Sequence, residues 1–110
     1  MKEWYSVRCF FHHPDLNENK DEFLYEERIL LWKAESLDQA IEMAEKEANE
    51  YEKNVNCVYI GLTQGYHTYI DQPKSGSEVF SLMREDDLPA DEYLDFHFDT
   101  GGERQTNYKD

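Results

Sequence analysis

The chain has few basic residues, little cysteine and proline, and no long apolar run. Its 110 residues include 11 Lys and Arg against 25 Asp and Glu, which gives a formal charge of −14 with His neutral. Nucleic-acid binding depends on Lys and Arg, so this charge argues against a nucleic-acid partner. A membrane span needs roughly 18 apolar residues and a secretory signal needs an apolar stretch, and neither is found. We therefore expect a cytoplasmic protein that binds neither nucleic acid nor membrane.

The few potential metal ligands are scattered. Cys9 and Cys57 lie far apart in apolar, strand-like runs outside any CxxC motif, which favours reduced core thiols. Residues 12–15 (His-His-Pro-Asp) supply candidate ligands, but neighbouring strand residues point to opposite sides and no second cluster follows. We predict no metal site, no cofactor and no set of catalytic residues.

Hydrophobic patterning predicts an α+β domain with a four-stranded, mainly antiparallel sheet and elements in the order ββαββα. Runs of aromatic and β-branched residues indicate strands, and polar segments with Pro, Asn or Gly indicate loops. The predicted strands are 4–11, 23–34, 55–70 and 78–84. Residues 1–102 are predicted to form this single domain, and residues 103–110 a polar, flexible tail.

The segment after the second strand has the strongest helix signal. Residues 36–39 (Ser-Leu-Asp-Gln) form a capping box. Apolar residues then recur at helical spacing: Leu37, Ala40, Ile41, Ala44 and Ala48. This stripe predicts one long helix packed closely on one face of the sheet. Residues 86–89 (Asp-Asp-Leu-Pro) are typical of a helix start and predict a short C-terminal helix over 89–97.

The first two strands are expected to form a hairpin. Symmetric pairing about its loop sets Tyr5 opposite Ile29, although a shift of one residue would exchange the two faces. One face is then largely apolar and the other is mixed. The apolar residues of the mixed face are Trp4, Phe10, Leu30 and Trp32. A solvated face would alternate cleanly, so we expect the second helix, a second sheet or another subunit to cover it partly.

Charged residues inside these strands are candidate site residues. In this register Arg8 and Glu26 form a cross-strand ion pair with Arg28 on the diagonal, which contributes only about 0.2–1 kcal/mol and favours a structural role. Glu27 points into the apolar face, where an unpaired carboxylate is costly. Either a cation such as Arg84 meets this carboxylate, or it titrates for a functional purpose.

Five segments together resemble a known family. They are residues 4–8 (Trp-Tyr-Ser-Val-Arg), 25–28 (Tyr-Glu-Glu-Arg), 40–45 with Ala48, 78–84 (Glu-Val-Phe-Ser-Leu-Met-Arg), and 99–101 with 103–105. They resemble the bacterial domain of unknown function family 4288, and the likeness spans Trp4 to Gln105. The resemblance implies a stand-alone bacterial cytoplasmic protein without assigned activity, and it brings no catalytic residues.

Two functions fit these features. The preferred one is a non-catalytic protein-interaction module that binds either a second copy, as a homodimer, or a basic protein, as small acidic inhibitor or immunity proteins do. The alternative is a small ligand-binding or hydrolytic domain with a pocket around Glu27, between sheet and helix. The candidate ligand or interaction residues are Trp4, Arg8, Glu26, Glu27, Arg28, Trp32, Tyr59, His67 and Arg84.

Overall fold

Three strands and two helices follow one another in the order ββαβα in the computed structural model, which describes residues 1–16 and 23–98. The elements are β1 (Glu3–His12), β2 (Tyr25–Ala34), α1 (Leu37–Val55), β3 (Val58–His67) and α2 (Ala90–His97). β1 is the central strand of one antiparallel sheet with strand order β2-β1-β3. Neither α1 nor α2 combines the length and apolar character of a membrane span.

The prediction of a fourth strand over residues 78–84 is wrong, and the sheet of the described chain has three strands. These residues have no regular secondary structure and lie across the sheet instead of beside its edge. The Phe80 ring contacts the Tyr66 ring at 5.7 Å and the Arg8 guanidinium at 4.9 Å. A segment packed across a sheet and a strand paired at its edge have the same apolar content, so their sequence patterns are alike.

The prediction of a long helix after β2 is confirmed. The Ser36 hydroxyl accepts a hydrogen bond from the Gln39 amide at 3.1 Å, and the Gln39 side chain accepts one from the Glu35 amide at 2.6 Å. The helix ends at Asn56, whose φ of 57° reverses the chain, so β3 begins three residues later than predicted. Three alanines face the sheet and are fully buried: Ala40, Ala44 and Ala48. Their small size allows α1 to approach β1 closely.

β1 and β2 pair three residues out of the predicted register. Tyr5 lies opposite Trp32 and not Ile29, and Phe11 lies opposite Glu26. The symmetric prediction assumed that the first strand ends at residue 11 and the second begins at residue 23, whereas β1 ends one residue later, at His12, and β2 begins two residues later, at Tyr25. Because side chains alternate along a strand, a shift by an odd number exchanges the two faces of β2. Trp32 therefore faces α1, and Glu27 lies on the opposite face.

The chain itself covers part of the face of the sheet opposite α1, here called the outer face. Ser6 and Arg8 of β1 are buried there. Residues 78–98 supply the cover, with Phe80 over Arg8 and the Glu78 carboxylate accepting a hydrogen bond from the Tyr66 hydroxyl at 2.8 Å. The expected cover is therefore an irregular segment and not a second sheet, and α2 contributes only side chains such as Tyr93 to the cavity beside it. The predicted tail over 103–110 lies outside the described residues.

Candidate functional site

A cavity of about 290 Å³ lies between the outer face and residues 80–98. Its walls include two arginines, one carboxylate and three aromatic rings: Arg8, Glu27, Phe80, Arg84, Tyr93 and Phe98. We call it the arginine pocket. It brings together three of the candidate residues, Arg8, Glu27 and Arg84, on the face opposite the helix rather than between sheet and helix.

Arg8 is a fixed cation in the wall of this pocket. Its Nη1 donates a hydrogen bond to Glu27 Oε1 at 3.0 Å, and its Nη2 donates to Gln64 Oε1 at 2.5 Å. The guanidinium lies between the rings of Phe10 and Phe80, at 5.1 and 4.9 Å from their centroids. The side chain is only 10% exposed, and its Nε has no hydrogen-bond partner among the described residues. This burial holds the positive charge in one place.

Arg84 is the exposed cation of the pocket. Its Nη1 donates a hydrogen bond to the Tyr93 hydroxyl at 3.3 Å, and its guanidinium lies 6.0 Å from the Phe98 ring centroid. Within residues 1–16 and 23–98, no carboxylate lies within ion-pair distance of Arg84. Its guanidinium therefore keeps N–H donors that can bind an anion.

α2 is attached to the turn that precedes it. Asp86 Oδ1 accepts a hydrogen bond from the Leu88 amide at 2.9 Å, and Asp86 Oδ2 lies 3.1 Å from His97 Nε2. Two contacts lower the pKa of Asp86 below its usual value: the hydrogen bond from the Leu88 amide has the larger effect, and the contact with His97 has the smaller one. This turn places Tyr93 and Phe98 at the mouth of the arginine pocket.

Glu27 is more accessible than expected, because its side chain is 56% exposed and bonded to Arg8. The carboxylate on the α1 side is that of Glu26. Glu26 Oε1 lies 2.8 Å from His13 Nε2, and both its oxygens accept hydrogen bonds from the Tyr51 hydroxyl. The register shift explains the exchange of roles between the two glutamates.

Arg28 extends this second polar cluster. Its guanidinium lies 3.8 Å from the Tyr51 ring centroid and donates a hydrogen bond to Glu47 at 2.5 Å. The hydrogen bond to Glu47 raises the pKa of Arg28, and burial together with Glu26 raises that of Tyr51. The sequence indicated His13 only as a potential metal ligand, and it did not indicate Tyr51 as a site residue. Tyr51 follows Ala48 by three residues, so its helical spacing already placed a hydroxyl near the buried stripe.

The other candidate residues lie away from the arginine pocket. The Tyr59 hydroxyl is hydrogen-bonded to Thr63 and its ring packs near Phe11, and burial raises its pKa. His67 stacks between Tyr5 and Tyr69 on the same face as α1.

Both tryptophans have a structural setting. Trp4 and Trp32 are half-buried, and their indole Nε1 atoms have no hydrogen-bond partner among the described residues. Lys33 lies 5.8 Å from the Trp4 ring centroid, and Trp32 packs against the core. The positions of both tryptophans are consistent with a role in packing and not in ligand binding.

The two edges of the sheet differ sharply in charge. β2 carries four charged residues: Glu26, Glu27, Arg28 and Lys33. β3 carries no Asp, Glu, Lys or Arg, and no described strand pairs with its outer edge. Three alternate aliphatic side chains on β3 are about half exposed, Val58 at 46%, Ile60 at 52% and Leu62 at 51%. The edge of β3 is thus both open and apolar.

The thiols and histidines form no metal centre in the described chain. Cys9 and Cys57 are both free and buried, and burial raises the pKa of each thiol. Residues 1–16 and 23–98 contain no group of three His, Cys, Asp or Glu side chains placed to hold a metal ion. His12 packs against the rings of Phe23 and Tyr25, whereas His13 contacts Glu26.

The sheet, the packed helix and the pocket define a small α+β domain. The family model described as Domain of unknown function (DUF4288) matches residues 4–81, more than half of the chain, and the chain belongs to this family. No curated protein and no solved structure matches the chain significantly. The matched range includes Arg8 and Glu27 but ends before Arg84 and α2.

Proposed function

We propose that this protein is a non-catalytic interaction module that pairs with a second copy of itself along the outer edge of β3. One observation carries the proposal: a ten-residue edge strand without a charged residue, in a chain with a net charge of −14. Edge strands present unpaired backbone groups and are usually protected by charged side chains or Pro. Residues 78–98 cover only part of the outer face, which had suggested a partner from sequence alone, and Val58, Ile60 and Leu62 stay about half exposed on its β3 side.

Electrostatics favours a second copy at this edge. The chain has a net charge of −14, so two copies repel each other when charged surfaces approach. Pairing two β3 strands brings no like charges into direct contact. Antiparallel pairing about a two-fold axis at Ile60 places Val58 of each copy beside Leu62 of the other copy. Backbone hydrogen bonds would supply affinity and the three aliphatic side chains would supply register.

The irregular part of β3 leaves room for this approach. The β1–β3 register shifts between Cys9 and Phe11, and Gly61 in this stretch has a φ of +89°. No heavy atom lies within 4 Å of the position that a Cβ of Gly61 would occupy. A glycine in a strand often marks a close approach of another backbone.

The test is sedimentation equilibrium of the full chain over a wide concentration range. We expect a reversible dimer whose association strengthens with salt, because salt screens the repulsion between two acidic bodies. Val58→Lys should weaken association at least about tenfold, since two-fold symmetry places two new charges in the interface. Ile29→Lys is the matched control, because Ile29 is also about half exposed, at 41%, and lies on β2, which β1 separates from β3.

Two results contradict the proposal: a wild-type protein that stays monomeric at high concentration and high salt, or equal effects of the two lysine variants. Tight binding to a basic protein, weakened by salt, would instead support an accessory role like that of acidic inhibitors.

A second candidate function is small-ligand binding, and the arginine pocket favours it. Arg8, Glu27 and Arg84 converge there although they come from β1, β2 and the segment before α2. Its described lining contains no Ser, Thr or Cys nucleophile, which favours binding over hydrolysis.

A further inference from the structure

We infer that the arginine pocket binds a small aromatic carboxylate, with the carboxylate group near Arg84 and the ring against Phe80 and Phe98. This inference rests on the ligand-binding candidate and is independent of pairing along β3. Three features of the pocket support it: its positive charge, its available hydrogen-bond donors and its apolar walls.

The charge of the pocket is opposite to that of the chain. Arg8 and Arg84 contribute two positive charges, and Glu27 contributes one negative charge that is already bonded to Arg8. His97 also lines the pocket, and its Nε2 lies 3.1 Å from Asp86 Oδ2. Arg84 has no described carboxylate partner, although acidic residues outnumber basic ones by 25 to 11. A planar guanidinium fork matches a carboxylate in a two-bond arrangement. An anion therefore fits this wall better than a cation or a neutral group.

Tyr93 adds a second donor beside Arg84. Its hydroxyl oxygen accepts the hydrogen bond from Arg84 Nη1, so its own proton is available to another acceptor. A carboxylate placed beside Arg84 can accept from both groups. Arg8 contributes mainly through its charge, because its Nη1 and Nη2 already have partners and its Nε is buried.

The remaining walls are suited to a ring. The Phe80 ring packs on the Arg8 guanidinium, and Leu82 and Phe98 are each nearly half exposed to solvent. A planar apolar group would cover these side chains and would bury its own surface as well. The volume of about 290 Å³ lies at the small end of the range for ligand pockets, which limits the ligand to about one ring and its acidic group.

Glu27 makes the charge argument testable in both directions. Its carboxylate faces the same cavity and opposes an incoming anion through like charge. Arg84→Gln should weaken anion binding about tenfold, and Glu27→Gln should strengthen it several-fold. Lys53→Gln is the control for net charge, because Lys53 is an exposed cation in the last turn of α1.

The experiment is a titration of the full-length chain followed by two-dimensional NMR and calorimetry, with benzoate as the probe. Inorganic phosphate tests the anion without a ring, and benzylamine tests the ring with a cation. We expect saturable benzoate binding with amide shifts concentrated in residues 80–98, weaker phosphate binding and no benzylamine binding. Val58→Lys should bind benzoate as the wild type does, which separates this result from the state of association.

Three outcomes overturn the inference: no saturable benzoate binding, equal affinity for benzoate and phosphate, or unchanged affinity in Arg84→Gln. Arg84 is exposed, so its substitution leaves the fold intact and the comparison valid.

Discussion

Both carboxylate oxygens of Glu26 accept a hydrogen bond from the hydroxyl group of Tyr51, at 2.9 and 3.1 Å. The contact joins the edge strand β2 to α1 near the end of the sheet where His13 also meets Glu26. Hydrogen bonds to an ionised acceptor in a partly buried place are stronger than neutral ones. The contact therefore holds the helix to the strand beyond the packing of the alanine stripe.

Tyr51→Phe removes this hydroxyl and keeps the ring. We expect the free energy of unfolding to fall by about 1–3 kcal/mol, because Glu26 loses a donor in a partly buried place. Urea denaturation monitored by circular dichroism measures the change. Tyr25→Phe, on an exposed ring of the same strand as Glu26, should change stability by less than about 0.5 kcal/mol. Equal stability of the two variants would show that the Tyr51 hydroxyl contributes nothing.

At alkaline pH, the free energy of unfolding should fall as pH rises. Burial raises the pKa of the Cys57 thiol above 9.0, and burial with Glu26 raises that of Tyr51 above 10.0. At a pH between the unfolded and the folded pKa of each group, the unfolded chain has released a proton that the folded chain retains, and this difference disfavours the folded state. These contributions are fully present below the unfolded pKa values and are lost as pH passes through the folded ones.

Urea midpoints measured from about pH 8 to about pH 11 test this dependence. We expect a continuous decrease above about pH 9 and a shallower decrease in Tyr51→Phe, which lacks one of the titrating groups. A midpoint that is constant or rises across this range would contradict the assignment.

Local signals in the sequence were sufficient for α1 but not for the pairing of strands. The cap at Ser36 and the alanine stripe lie within one element, so the pattern alone specifies the helix and its buried face. The β1–β2 register depends on where β1 ends and where β2 begins, and no local pattern marks His12 as that end or Tyr25 as that start. A difference of three residues then exchanged Glu26 and Glu27 between the two faces.

The candidate site was predictable only in part for a related reason. Arg8 and Glu27 stood out because charged residues are unusual in strands with apolar neighbours. Their meeting with Arg84 depends on the path of residues 78–98 over the outer face, which is a long-range contact. His13 was noted only as a metal ligand, because its carboxylate partner comes from β2.

The alanine stripe of α1 should tolerate no larger side chain. Ala44 is buried against the sheet, whereas Asn49 is exposed on the same helix. Ala44→Leu should lower stability by about 1–3 kcal/mol through overpacking. Asn49→Leu introduces the same side chain into water and should not lower stability, because Leu is also the better helix former. Urea denaturation of both variants measures the difference, and similar stabilities would mean that α1 does not approach the sheet as closely as its buried face indicates.

The cover of the outer face by residues 78–98 depends on side-chain contacts and not on strand pairing. Amides in residues 78–84 should therefore exchange with deuterium much faster than those of β1, which has a strand on each side. A paired fourth strand would instead protect alternate amides. Hydrogen exchange measured by NMR separates the two cases without any substitution.

Phe80→Ala tests which contact holds this segment. Phe80 is half-buried and touches both Arg8 and Tyr66, so its loss should cost about 1–2 kcal/mol. We expect faster exchange throughout residues 78–98, while the amides of β1, which pairs with β2 and β3, stay slow. Val79→Ala, at the exposed neighbouring position, is the control and should leave exchange unchanged. Equal exchange in both variants would mean that the segment is held elsewhere, for instance by the Tyr66–Glu78 hydrogen bond.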